Sequence, residues 1–204
     1  VQTCALPISY MMEERKAGTK DAILASSREL FWKHGFRRVT VDEICEKTGI
    51  SKMTFYRYFA NKTELAKAVF SQAANEGYDQ FRIIMNEPVS PEEKINRLLL
   101  MKFDGTHDIS VEFLNDFYHG KDKELHDYVR NCTMEVWNKI LVEMKIARDK
   151  GIFRKDLNLE FFFLMSQNFV ESMNDERITK LFSNPQEMIM ECTRLLMYGI
   201  SPRN

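Results

Sequence analysis

The sequence predicts an all-α chain: a three-helix head containing a helix-turn-helix, joined by one shared helix to a larger helical body. Three observations carry that prediction. Gly and Pro are scarce, at 8 and 5 of 204 residues, while Met (12) and Phe (15) are plentiful, a composition suited to helices around large, adaptable cores. Hydrophobic residues recur at helical spacing between capping signals. No segment shows the two-residue alternation of a strand, and no internal repeat is present. The expected organisation is a disordered stretch over residues 1–18, a head over 19–66 and a body over 67–204.

Each element follows from local chemistry. Val1 to Ile8, VQTCALPI, has neither charge nor periodicity. It resembles the translation of a sequencing adapter and lacks the basic start and sustained apolar core of a signal peptide. It is set aside, with the natural start expected at Met11 or Met12. A helix is predicted over 19–34, with Ile23, Leu24, Ser27, Leu30 and Phe31 inward and Gly35 as its stop. Thr40 with Glu43 forms a capping box for a second helix whose stripe is Val41, Ile44 and Cys45. Gly49 ends it in a positive-φ turn, Ile50 is the buried turn residue, and Ser51 caps a third helix. Asn61 and Glu64 open the shared helix, 62–85, which packs on the head through Leu65, Val69 and Phe70 and on the body through Tyr78, Phe81, Ile84 and Met85.

The body should begin at Ser90-Pro91-Glu92-Glu93, a strong N-terminal signal, and its first helix ends near Gly105. Further helices are expected over 110–118, 123–150, 159–173 and 185–198. The run Phe161-Phe162-Phe163-Leu164-Met165 is apolar on all sides and must be covered on more than one.

The third helix of the head is the most informative piece. Phe55 and Phe59 lie four apart on one face and must face a core. Lys52, Thr54, Tyr56, Arg57 and Tyr58 are then turned outward, cationic and hydroxyl-bearing, as a helix in a DNA major groove requires. The stretch Thr40, Gly49, Ile50, Ser51, Thr54, Phe55, Tyr56, Tyr58, Phe59 and Lys62 resembles the tetracycline-repressor (TetR) family of transcriptional regulators. The close match covers residues 20–70 and is architectural beyond. Position 53, often small or polar in that family, is Met53 here, so a DNA sequence preference does not carry over.

The resemblance implies a sequence-specific, ligand-responsive transcriptional regulator, with repression the commoner sign, acting in the cytoplasm as a homodimer on double-stranded operator DNA. The expected DNA-contacting set is Thr40, Ser51, Lys52, Met53, Thr54, Tyr56, Arg57, Tyr58 and Lys62. Within it Thr40, with the first-turn amides of its helix, meets phosphate. Tyr56 and Lys62 clamp the backbone. Lys52, Met53, Thr54 and Arg57 face base edges, and Tyr58 serves either role. The last two long helices would pair with a second copy as a four-helix bundle. An unknown small-molecule effector would occupy a pocket lined by Phe103, Phe113, Phe117, Tyr128, Trp137, Met144, Phe169 and Met173, residues that suit a plain core equally well. The alternative is a helical small-molecule-binding or protein-interaction module without DNA binding.

Charge is distributed consistently. Residues 11–70 hold 12 Lys+Arg against 8 Asp+Glu, a net of +4; residues 71–204 hold 17 against 22, a net of −5; the sum is −1. A basic head on an acidic body suits nucleic acid at one end only. Cys4, Cys45, Cys132 and Cys192 are far apart and form no CxxC pair, which predicts free thiols. No cofactor or metal is expected, no apolar run is long enough for a bilayer, and no catalytic constellation or phosphate-cradling Gly loop is present, so an enzyme is not expected.

Overall fold

The computed structural model describes residues 8–202 apart from Asn174, with side chains from residue 18 onward. Among the described residues there are ten helices and no strand. The head holds α1 (Ile8–His34), α2 (Val41–Thr48) and α3 (Lys52–Tyr58); α4 (Lys62–Asn86) is shared; the body holds α5 (Pro91–Gly105), α6 (Val111–Tyr118), α7 (Lys123–Asp149), α8 (Leu159–Ser172), α9 (Glu176–Thr179) and α10 (Pro185–Ile200). Val1 to Pro7 lie outside the described residues.

Side-chain caps start the helices where the sequence places them. Ser90 accepts a hydrogen bond from the Glu93 amide, Asp122 from Leu125, Asn158 from Phe161 and Asn184 from Glu187, at 2.9–3.2 Å. Each satisfies one of the four amides a helix start leaves without a partner. Two elements differ from the sequence reading. Helix α1 begins at Ile8 rather than Thr19, because Met11 to Ala17 are good helix formers and one glycine, Gly18, is too weak a breaker to stop them. Helix α9 is a single turn capped by Asp175, too short for any periodicity to reveal.

Two apolar clusters organise the molecule. The first joins Ile23, Phe31, Ile44, Phe55, Leu65, Val69 and Phe70 of the head to Phe113, Leu114 and Phe117 of α6 and to Leu125 and Val129 of α7. The second lies wholly beyond it, around Phe81, Ile84, Leu98, Met144, Phe153 and Phe162. Helix α4 contributes to both. The head core therefore continues into α6: Trp32 packs on Phe113 with ring centroids 4.3 Å apart, and Phe70 stacks on Phe117 at 5.9 Å.

A lysine finishes the C-terminal end of α4. The buried Lys94 ammonium donates to the carbonyls of Ile84 and Met85, both at 2.9 Å, and to that of Glu87. These are the C-terminal carbonyls of α4, where a cation is favoured. Burial holds the Lys94 amine below its ordinary pKa.

Candidate nucleic-acid interface and body cavity

The helix-turn-helix is built by its caps. Thr40 accepts from the Glu43 amide at 3.2 Å, and the Glu43 carboxylate accepts from the Thr40 amide at 2.7 Å and its hydroxyl at 2.8 Å. These bonds, the backbone amide's first, hold the Glu43 carboxyl below its usual pKa. Gly49 stands at φ +68° and closes α2 through its amide; Ile50 is half-buried rather than buried. Ser51 then accepts from the Thr54 amide at 3.1 Å and starts α3.

That geometry decides which side of α3 faces water. Phe55 is fully buried and Phe59 is 6% exposed, both in the head core. Met53 is 83% exposed and Tyr56 54%, and Lys52 and Arg57 are exposed beside them. The Arg57 guanidinium lies over the Tyr58 ring at 5.5 Å and has no carboxylate partner among the described residues. Lys52 is ion-paired with Asp42 of α2 at 2.7 Å, which raises its amine pKa; a base or phosphate must compete with that carboxylate. The Thr54 and Ser51 hydroxyls lie 3.0 Å apart and bond to one another.

Two expected phosphate contacts are otherwise engaged. The Lys62 ammonium turns inward and donates to the carbonyls of Phe36 and Val39, both at 2.8 Å, while sitting 4.4 Å from the centroid of the Phe36 ring. The loop between α1 and α2 has carbonyls without helical donors, and Lys62 is the cation within reach. These bonds tie α4 to that loop, and desolvation lowers the Lys62 pKa. At Thr40 the Glu43 carboxylate already occupies the cap, so a phosphate there meets a like charge. Arg38, exposed beside this helix start, supplies a cation the sequence reading passed over.

A second joint links the interface to the body. The buried Asp116 of α6 accepts from the Arg37 amide at 2.8 Å and from Arg37 Nε at 2.6 Å. The Ser110 amide donates to the Trp32 carbonyl at 2.9 Å. Nothing in the sequence spacing pairs positions 37 and 116.

The body contains a cavity of about 200 Å³ between α4, α5, α7, α8 and α10. Of the eight expected lining residues, Trp137, Met144, Phe169 and Met173 line it. The other four do not. Phe113 and Phe117 are buried against the head, because the short α6 packs on α1 and α4. Tyr128 lies under Lys67 near the start of α7. Phe103 is 46% exposed near the C-terminus of α5. Helical spacing identifies an apolar residue but not which of two cores it enters. The wall also holds Lys102 and Cys192, neither anticipated. Cys45, Cys132 and Cys192 are free thiols, and burial raises the pKa of each; Cys4 lies outside the described residues.

Comparison with known proteins agrees with this architecture. Residues 23–69 match the family model described as bacterial regulatory proteins, tetR family. The uncharacterized HTH-type transcriptional regulator YvkB of Bacillus subtilis is 40% identical over 190 residues, spanning 90% of this chain and 97% of the relative. The HTH-type transcriptional repressor KstR2 of Mycolicibacterium smegmatis is 24% identical over 153 residues, 72% and 73% of the two chains. Among solved structures, the fatty acid degradation regulator FadR of Bacillus halodurans superposes with a TM-score of 0.65 at 20% identity, over 89% of this chain and 95% of that one. FadR of Bacillus subtilis, solved with stearoyl-CoA, gives 0.62 at 16% identity over 88% and 98%.

Proposed function

Because the chain belongs to the TetR family of bacterial transcriptional regulators, we propose that it is a ligand-responsive repressor, working in the cytoplasm as a homodimer on a two-fold operator. DNA binding and transcriptional regulation come with the family. The exposed row Lys52, Met53, Tyr56 and Arg57 on α3, held from behind by Phe55 and Phe59, carries the assignment of the reading surface. Arg57 is the unpaired cation of that row and the one to contact a guanine edge. Met53 offers an apolar tip for a thymine methyl. Tyr56 and Arg38 suit phosphate, and Thr54 and Tyr58 the groove wall.

One α-helix reads only a few base pairs. Two copies about one helical turn apart multiply that selectivity, which is why a dimer suits the task. KstR2 is named a repressor and a FadR was solved with an acyl-CoA; both favour repression relieved by a small molecule, over a module that has lost DNA binding. The coupling we infer runs along α4. Phe81 lines the body cavity, while Leu65, Val69 and Phe70 of the same helix sit in the head core. A ligand that binds better to one setting of α4 shifts the population toward it and takes the two heads out of register.

The test is a mobility shift on DNA upstream of the protein's own gene, over rising salt. A steep loss of affinity with salt is expected for phosphate neutralisation. Arg57→Ala should weaken cognate binding by about 1–3 kcal/mol and relax selectivity at one base pair. Equal loss on every sequence would make Arg57 a phosphate contact, and no salt-sensitive binding at all would end the reading.

A further inference from the structure

The wall of the body cavity is apolar except for a few groups, and their hydrogen-bonding capacity is unequal. The Ser166 hydroxyl donates to the Phe162 carbonyl at 2.8 Å, and the Thr193 hydroxyl to the Ile189 carbonyl at 2.7 Å. Both have spent their hydrogens and offer a ligand only lone pairs. The Cys192 thiol is kept neutral by burial. Lys102, on α5, is different. Its ammonium carries up to three donors, and among the described residues no carboxylate or carbonyl accepts from it. It is exposed while lining the cavity, so its side chain borders both the cavity and water. Desolvation alone lowers its pKa, with no neighbouring charge contributing.

An occupant of the cavity would strip water from this ammonium, which is costly when no partner replaces it. A neutral occupant would incur that cost and a cationic one would add to it. We propose that the cavity takes an amphipathic monoanion, an apolar body carrying one carboxylate, with the carboxylate on the Lys102 ammonium. The proposal rests on reading the body as the effector-binding part. Size sets the scale of the apolar portion: an apolar cavity of about 150 Å³ holds benzene, so about 200 Å³ suits a ring with a substituent or a medium-length chain. One cation also limits the ligand to one compact negative charge inside the wall.

The experiment is calorimetric titration of the full-length protein with octanoate, octanol and octylamine, repeated on Lys102→Met and Lys102→Arg. Octanoate should bind the unmodified protein about tenfold or more tighter than octanol, and octylamine weakest. Lys102→Met should erase the acid-over-alcohol preference while keeping octanol affinity; Lys102→Arg should retain the preference. Thermal melting supplies a separate readout: Lys102→Met should melt no lower than the parent, since no protein partner is lost. Equal binding of acid and alcohol, preference for the amine, a preference that survives Lys102→Met, or no binding by any of the three overturns the proposal. A mobility shift on the same samples separates the two readings. Octanoate binding that leaves DNA affinity unchanged keeps the anion site and sinks its role as an effector site. Octanol altering DNA affinity as strongly as octanoate does keeps the effector site and sinks the anion.

Discussion

At the scale of single residues, the head is held by groups whose hydrogen-bonding capacity is almost fully used, and the exception is informative. Ser27 is fully buried on α1, and its hydroxyl has no partner among the described residues. A buried hydroxyl without a partner keeps its desolvation cost. Ser27→Ala should therefore stabilise the protein by about 1 kcal/mol, read as a higher melting temperature; a drop would mean that the hydroxyl has a partner, such as a buried water. Asp175 shows the opposite case. The Arg177 guanidinium, at 2.5 Å, and the Arg177 amide hold its carboxyl down to about 2. A carboxylate depressed on folding stabilises above its ordinary value of 3.8, and that stabilisation is lost as pH falls through about 2. An NMR titration should find the Asp175 midpoint near the lower figure, and Arg177→Ala should return it toward the ordinary one.

At the scale of elements, capping chemistry was written plainly in the sequence and partnership was not. The starts at Val41, Lys52, Lys62, Pro91, Lys123, Leu159 and Pro185 follow from a Ser, Thr, Asp or Asn whose side chain can reach an amide three residues on, a contact too local to be overruled. The buried and exposed sides of α3 were legible for the same reason: two rings four apart leave only one side for Arg57. What could not be read was which distant element each face meets. Lys62 has the reach to touch phosphate or the loop carbonyls of Phe36 and Val39, and only the folded loop decides. Phe113 and Phe117 sit at helical spacing whichever core they enter. The loop at Gly35 illustrates the difference between local and distant constraint. Gly35 and Gly49 both have positive φ, +77° and +68°, but a Cβ on Gly49 would meet open space, whereas one on Gly35 would lie 2.8 Å from both Asp116 Oδ2 and Glu112 Cβ. Gly49→Ala should cost about 1–2 kcal/mol of backbone strain. Gly35→Ala should add the displacement of α6, about 1–3 kcal/mol more, and should disturb the Arg37–Asp116 pair. Chemical denaturation measures both; equal losses would show that α6 yields at no cost.

At the scale of the whole molecule, the unresolved quantity is apolar surface. Helices α8 and α10 bury Phe162, Met188, Ile189 and Ile200 but leave Phe161, Leu164, Leu195 and Tyr198 about three-fifths exposed. On each helix the two exposed residues are three apart in sequence, so each pair forms a stripe on one side, and α8 packs against α10. Exposed stripes of large apolar side chains are of the kind that marks an association surface. An isologous contact, in which α8 and α10 of one copy meet the same helices of another, would cover both stripes at once and close the assembly at two. Such a dimer puts its axis through the body and carries one head on each side, the arrangement a two-fold operator requires. Phe161→Glu combined with Leu195→Glu places charges where the stripes would meet, without touching the buried Phe162 or Ile189. Sedimentation should show the unmodified protein as a dimer and the double variant as a folded monomer, its helical circular dichroism intact. Because each head then binds a half-site alone, operator affinity should fall by several orders of magnitude while weak, salt-sensitive binding persists. A double variant that still sediments as a dimer would move the interface to another face, such as the exposed Val142 and Ile146 of α7.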